Sequence, residues 1–503
     1  MKSSNEICSS PNSILKDALE HGRRTTIELL HGRSIKKNAP QSADVPRNLS
    51  KRMPNLFDRF PMVFPWQRRS LPVDPTKHAV WLLDNTAFPT PRHAGHPTNP
   101  ERVHDDEQEW QTEFIACYFV KHSGRDQSRI VADIAHKLNV NAGDYASQQR
   151  IAARLEPFAD TILINRTSRI ALPGLQQQSL GPSNKSGIST NILDLHLPPR
   201  FMDSRRTRSF TVQNSCQPLY LPPSTTTLAE EHGWMIISDV DDTIKLTLSN
   251  SAFGILYHTF LIPSPLPIRG MPALYSHLQN ILHDPAFFYL SASPYNLYPF
   301  LHRFLYPHMY RRRLSSPRSQ QQQHHRRASP DHLRTSLSFP MGTLLLRDAS
   351  WQNLAGLLTS LTQGIQNYKI SRMAELHSRW PHRKVICIGD SSQTDPEAYA
   401  EVVKRWPGWV KGVFIRKVPV VDEDGDGLED EVAEGRNPEW KNSDERFEKA
   451  FEGVERNIWK VFEAPDDVGR WVEKLVQHEA RVDANGGRDG DDGRVFSVRL
   501  DKP

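Results

Sequence analysis

From Trp234 to about Phe462 the chain alternates two kinds of hydrophobic spacing. Short continuous apolar runs, in WMIIS, AFFYLS, GTLLLRD, KVICIGD and WVKGVFIRK, read as strands buried on both faces. Between them apolar positions recur at helical intervals, across Met271 to His283, after Pro294, after Ser350 and from Asp395. This alternation predicts an α/β fold, a parallel sheet with helices on both faces, whose working site lies outside the carboxyl ends of the strands.

Upstream the spacing changes. In DQSRIVADIAHKLNV, Ile130, Ile134 and Leu138 fall on one helical face with Val131 and Ala135, and Asp126 is placed to cap the helix. After Pro157 come short runs bounded by Gly, Pro and Ser: TILINR, RIALPG, NILDLHLPP, RSFTVQ and PLYLPP. They read as strands of a smaller mixed, mostly β domain over residues 76–225, with order beginning at HAVWLLDNTAF. Residues 1–75 are rich in Ser, Arg, Asn and Pro and read as mostly disordered, with a short helix near Ile14 to Leu30. The alternating domain then occupies 226–480, interrupted by a Gln/His/Arg-rich insertion at 311–336 and followed by a disordered tail at 481–503.

Composition narrows the classes. A chain of 503 residues with 37% apolar content can hold two or three cored domains, and no apolar run approaches the ~18 residues of a membrane span. The net charge of +5 is mild and resides mainly in the segments read as unfolded, which excludes a dedicated nucleic-acid binder. Cys8, Cys117, Cys216 and Cys387 are too scattered for a disulfide framework or a zinc site, so a reducing, cytoplasmic compartment is expected. Residues 1–40 show no signal-peptide apolar core, so the sequons at Asn48, Asn165 and Asn184 are expected to be unused.

Two acidic clusters invite comparison. VDEDGDGLEDE matches calcium-loop positions at Asp422, Asp424, Asp426, Gly427 and Asp430, but Ala433 stands where a bidentate Glu is required, so it reads as a solvated loop. The cluster in WMIISDVDDTIKLTLS instead leaves a buried strand. If that strand continues, Asp239 and Asp241 share a face, and their repulsion raises one pKa unless a cation or a proton intervenes. The pair suits one ionised nucleophile that also binds Mg²⁺ and one protonated general acid. Other strand ends supply Ser291 and Ser293 for a phosphate oxygen, and Asp390 and Asp395 with Gly389 beside them. Lys369 can offset negative charge.

The order acid pair, Ser, Lys, acid pair resembles the haloacid-dehalogenase superfamily, and Asp239-Val-Asp241-Asp-Thr243 fits its DxDxT motif. More narrowly, DVDDTIKLT, LSASPYNLYPFL, FPMGTLLLRD and IGDSSQTDPEAY are similar to the fungal actin-patch phosphatidate phosphatases, relatives of the lipins. The likeness runs from Trp234 to Phe462, through RKV after Ile415 and KNSDERFEKAF near Lys441, and extends less specifically to WLLDNTAF. It implies a haloacid-dehalogenase-like (Rossmann-like) sheet and a Mg²⁺-dependent hydrolysis of phosphatidate to diacylglycerol and phosphate through a phospho-aspartyl intermediate. Asp239 would be the nucleophile and Asp241 the acid/base. The phosphate would meet Thr243, Ser291 and Lys369, with Ser293 as a substitute for Ser291 and Arg372 or Lys384 for Lys369. The metal would be held by Asp239, Asp241, Asp390 and Asp395. The resemblance also implies a phosphatidate-containing membrane surface and endocytic or actin-patch proteins as partners, with the chain peripheral at membranes or cortical actin patches.

Between Thr243 and Phe287 the chain is too short for a large cap. The apolar segment SAFGILYHTFLIPSPLPI suits either a membrane contact or a flap packed on the core. The second Asp argues against the dehalogenase branch. A phosphatase of the same chemistry acting on phosphoprotein or a soluble phosphomonoester, and a cortical scaffold with a vestigial site, are the alternatives; the intact acid pair speaks against the scaffold.

Overall fold

The computed structural model describes residues 70–90, 109–123, 126–172, 177–195, 197, 209–311, 338–348, 364–419 and 438–486. The upstream half builds a nine-stranded mixed sheet from β1 (Leu71–Pro72), β2 (His78–Leu82), β3 (Asn85–Pro89), β4 (Trp110–Val120), β5 (Arg166–Ala171), β6 (Gln178–Leu180), β7 (Ile188–Leu195), β8 (Ser209–Asn214) and β9 (Ser224–Leu228). Its main path runs β1-β5-β8-β9-β3-β4-β2, with β6 on β5 and β7 on β4. The β1–β5 and β3–β9 pairs are parallel and the others antiparallel. β8 alternates exposed and buried positions strictly, as expected where one face meets solvent.

The downstream half is a six-stranded sheet of β10 (Trp234–Asp239), β11 (Ala286–Pro294), β12 (Thr343–Arg347), β13 (Lys384–Asp390), β14 (Val410–Arg416) and β15 (Trp459–Phe462), in the order β12-β11-β10-β13-β14-β15. Every pairing in it is parallel. β11 and β13 are buried along almost their whole length, which is why they read as continuous apolar runs. Helices Met271–Ile281, Tyr298–Leu305, Ile365–Arg379, Asp395–Arg405 and Pro465–Gly486 accompany these strands. No cap domain follows β10. The chain makes a short helix, Ala252–Leu256, and one π-helical turn, Tyr257–Leu261, before the helix that leads to β11.

The two sheets share one apolar core. Trp81, Leu83 and Phe119 from the upstream sheet cluster with Tyr275, Tyr289 and Phe339 of the downstream half. Trp380 packs against both Phe88 and Phe288, with ring centroids 5.7 and 5.2 Å away. A buried polar pair crosses the same boundary: Asp84 Oδ2 lies 2.8 Å from His302 Nε2, and Asp84 Oδ1 accepts the Thr225 N–H at 2.7 Å.

Several upstream expectations need correction. TILINR contributes only an isolated bridge from Ile162 to Phe119, and PLYLPP is a turn ahead of β9. Prolines bracket the apolar residues of PLYLPP, and the apolar run of TILINR ends at Asn165, whose left-handed φ of 57° turns the chain into β5. The expected helix spans Ser128–Lys137, where Asp126 accepts the Ser128 N–H but Gln127 is the cap residue. A second helix, Tyr145–Ala159, was not expected; Asp144 caps it by accepting the Ser147 N–H, and Pro157 sits in its last turn. Its polar-rich sequence hides a buried face of Ile151 and Leu155 that packs on Ile134 and Leu138. β1 pairs with β5 inside the stretch read as disordered, and helix Pro465–Gly486 continues past residue 480. Arg311, read as the first residue of the 311–336 insertion, ends helix Pro307–Arg311; the rest of that insertion, the acidic loop with Asp422, Asp424, Asp426, Gly427, Asp430 and Ala433, and most of segment 1–75 lie outside the described residues. Cys117, Cys216 and Cys387 are buried free thiols.

Candidate active site

β10 ends at Asp239, and its carboxylate enters a fully buried polar cluster. Lys369, on helix Ile365–Arg379, donates from Nζ to Asp239 Oδ1 at 2.6 Å and also to Asp395 Oδ1. Asp390 closes the group from the end of β13, so carboxylate oxygens of Asp239, Asp390 and Asp395 all lie within 4.8 Å of one another. The Thr243 hydroxyl lies between two of them, 3.1 Å from Asp239 Oδ2 and 3.3 Å from Asp390 Oδ2. Asp395 opens helix Asp395–Arg405, where the helix dipole favours an anion, and its Oδ2 accepts the Asp390 N–H at 3.1 Å. A Cβ on Gly389 would fall inside contact distance of Asp395 and Tyr399, so only glycine lets that carboxylate approach.

Asp241 does not join this cluster. Sheet pairing stops at Asp239, and Asp242 adopts a left-handed φ of 58°, so the two-residue strand period no longer governs Asp241. Its carboxylate instead meets Lys245 Nζ at 2.9 Å and the hydroxyls of Thr247 at 2.8 Å and Ser291 at 2.9 Å. Ser293 stands further off, at 3.5 Å. Asp242 caps the following turn: its carboxylate accepts backbone N–H groups from Thr247, Leu248 and Ser249 at 2.9, 2.8 and 2.6 Å. A narrow cleft beside Asp241 is lined by Thr247, Ile255, Thr259, Ser293 and Leu297.

The electrostatics differ between the two carboxylates in the opposite sense to the sequence expectation. Burial, with the charges of Asp395 and Asp390, pushes the Asp239 carboxyl well above the usual range, and Lys369 opposes this only partly. Burial and the neighbouring Asp395 and Asp242 charges push Asp390 up to about 7. For Asp241 burial also raises the pKa, but the Lys245 ammonium and hydrogen bonds from Lys245, Thr247 and Ser291 overcome it and hold the carboxyl below its ordinary value. Asp241 is therefore ionised where a protonated acid was expected. Lys369 is penalised by burial, yet the facing carboxylates of Asp239, Asp395 and Asp390 push it well up, and it stays cationic.

Of the other basic residues considered for the Lys369 position, Arg372 pairs with Glu375 at 2.8 Å and Lys384 with Glu479 at 3.0 Å. Neither reaches the acids. In DVDDTIKLT the signal for Lys245 is a cation set between Ile244 and Leu246 just after the acid pair. No such cue marks Arg446, which is buried and donates to the carbonyls of Ser391 and Gln393 and to Glu397, bracing the loop between Asp390 and Asp395.

Residues 234–332 and 328–417 match the family described as phosphatidate phosphatase APP1, catalytic domain. This stretch is similar to the APP1 catalytic domain. A stretch of 187 residues is 26% identical to the phosphatidate phosphatase APP1 of Saccharomyces cerevisiae, covering 37% of this chain and 26% of that protein. The matched span thus represents about a quarter of the relative's length. The matched residues include every member of the acid cluster, Lys369 and Ser291, while Arg446 and Lys441 lie beyond them. Lys441 nonetheless reaches back, donating to Asn250 Oδ1 at 2.6 Å and to the Ser392 carbonyl at 2.7 Å. Among the described residues no helix is long and apolar enough to cross a membrane.

Proposed function

We propose that the chain is a Mg²⁺-dependent phosphatidate phosphatase of haloacid-dehalogenase-like fold, releasing phosphate and diacylglycerol through a phospho-aspartyl intermediate on Asp239. The observation that carries this reading is the buried set of Asp239, Asp390 and Asp395 around Lys369, at the carboxyl ends of parallel strands in an APP1-like domain. The inner position of β10 in the strand order supports the fold assignment.

The donors suit Mg²⁺. All are hard carboxylate oxygens, and three acids against one lysine leave an excess of negative charge for a divalent cation to balance. Mg²⁺ bound there would neutralise charge on the phosphoryl oxygens and on the cluster, and so keep Asp239, whose carboxyl burial and the neighbouring acids push well up, ionised for attack. The substrate monoanion passes its proton to the Asp241 carboxylate; Asp239 attacks phosphorus, the bond to the glycerol oxygen breaks, and that oxygen takes the proton from Asp241. Asp241 then removes a proton from water, whose oxygen attacks the aspartyl phosphate, releasing phosphate and restoring the Asp239 carboxylate. Because Lys245 keeps Asp241 ionised in the free protein, the first proton enters with the substrate, carried on a phosphate monoanion. Lys369 offsets the growing negative charge, Thr243 fixes the Asp239 carboxylate, and the Ser291 hydroxyl turns from Asp241 to a phosphoryl oxygen.

Exposed Phe253 and Tyr257, stacked 5.9 Å apart on the flap, support a substrate presented at a membrane. A phosphatidate-containing membrane is then the partner surface, and peripheral attachment in the cytoplasm or at cortical actin patches, beside endocytic or actin-patch proteins, extends the same reading. The test is Mg²⁺-dependent phosphate release from phosphatidate in mixed micelles, beside a phosphopeptide and a soluble monoester, with wild type and Asp239→Asn. Release from phosphatidate that vanishes in the variant is expected. Release confined to the peptide or soluble ester would remove the lipid assignment, and no release from any of them would remove the enzyme.

A further inference from the structure

At the opposite end of the parallel strands from the acid cluster lies a second cavity, of about 400 Å³, large enough for a small ligand. It opens between the amino-terminal ends of β10 and β11 and strands β3 and β9 of the upstream sheet. Trp234, Leu282, Phe287 and Met341 supply an apolar wall, and Thr86, Glu230, His232, His283, Asp284 and Arg383 the polar one.

Arg383 is the feature that asks for a ligand. It is only 7% exposed, and its Nε and Nη1 donate to the carbonyls of Glu230 and Trp234 at 2.8 and 2.6 Å. Among the described residues it forms no ion pair, although a buried guanidinium ordinarily has one. Two acids line the cavity beside it: the Glu230 charge acts on Arg383 without an ion pair between them, and Asp284 accepts from Gln279 at 2.9 Å. Burial pushes the guanidinium down to about 10, so it keeps its charge at neutral pH.

We propose that this cavity binds a small amphiphilic anion, its single carboxylate or phosphate against Arg383 and its alkyl part along Leu282, Phe287 and Met341. The site is separate from the acid cluster and does not depend on the function proposed for it. An anion would complete the charge balance of Arg383 through the nitrogen not used for the two carbonyls, and the apolar wall would exclude a fully hydrated ion such as free phosphate.

The test uses the full chain carrying Asp239→Asn, so that nothing is turned over, with calorimetric titration of octanoate, octyl phosphate, octanol and acetate. Octanoate or octyl phosphate should bind at least about tenfold more tightly than octanol or acetate, and which of the two binds better distinguishes a carboxylate ligand from a phosphate one. Arg383→Gln should weaken the anions by at least about tenfold and leave octanol unchanged. Met341→Trp, which fills the cavity without touching Arg383, should abolish binding of both anions while the circular dichroism stays native. Equal binding of octanol and octanoate, undiminished anion binding in folded Met341→Trp, or no binding of either anion to the parent would each overturn the proposal.

Discussion

Two buried carboxylate sites in this molecule are built on opposite terms. At the boundary between the sheets, Asp84 is matched: His302 and the Thr225 N–H occupy its oxygens, and its own N–H donates to the Tyr298 hydroxyl at 3.1 Å. At the end of β10, Asp239, Asp390 and Asp395 share a single Lys369. The first arrangement is complete within the chain and holds two layers together. The second leaves like charges facing each other, which folding alone does not reward, and so points to chemistry that needs the surplus.

Separating activity from stability is the strongest way to break this contrast. Asp239→Asn should lower phosphate release by at least about a thousandfold while the protein stays folded, because the amide is no nucleophile and one repelling charge is gone. Asp84→Ala should do the reverse, costing about 3–5 kcal/mol in denaturant unfolding, since it strips His302 and the buried Thr225 N–H of their partner, with turnover per folded molecule retained. Equal stability losses in the two variants would erase the distinction. Lys369→Met should lose both properties, because three buried carboxylates then have no cation from the chain.

Next in size is a pH effect. Burial and the Asp395 and Asp242 charges push the folded Asp390 carboxyl up to about 7, from an ordinary value of 3.8. A raised carboxyl stabilises the folded state while protonated, so that contribution is present below about 3.8 and is lost as pH rises towards about 7. In the presence of a chelator, melting temperature should therefore fall across this window more steeply for wild type than for Asp390→Asn, and Mg²⁺ should reduce the difference. The smallest effect expected is at Lys245. Lys245→Met removes the charge that holds Asp241 low, so the acid limb of the kcat/KM profile should move to higher pH; an unmoved limb would detach Lys245 from Asp241.

Much of this was legible in the chain, unevenly. The strands from WMIIS to WVKGVFIRK announced themselves because strands buried on both faces must be apolar throughout, and the places of Asp239, Ser291, Asp390 and Asp395 at strand and helix ends followed; Lys369 lies inside helix Ile365–Arg379, a place the strand pattern does not mark. The upstream sheet was harder to read. Its one-sided strands, its turns at Pro218–Pro223 and the polar-looking helix Tyr145–Ala159 depend on what packs against them, and short apolar runs do not carry that information.

The sequence by itself determined which carboxylates could meet, because a parallel α/β alternation brings every strand's carboxyl end to one edge. Only the tertiary structure decided which of them do. The backbone leaves the strand at Asp242, swinging Asp241 out of the cluster to Lys245, a residue four positions on that the turn alone brings back. Charge state was decided there too, since a carboxyl's pKa is set by burial and by neighbours distant in the chain, such as Lys369 against Asp239.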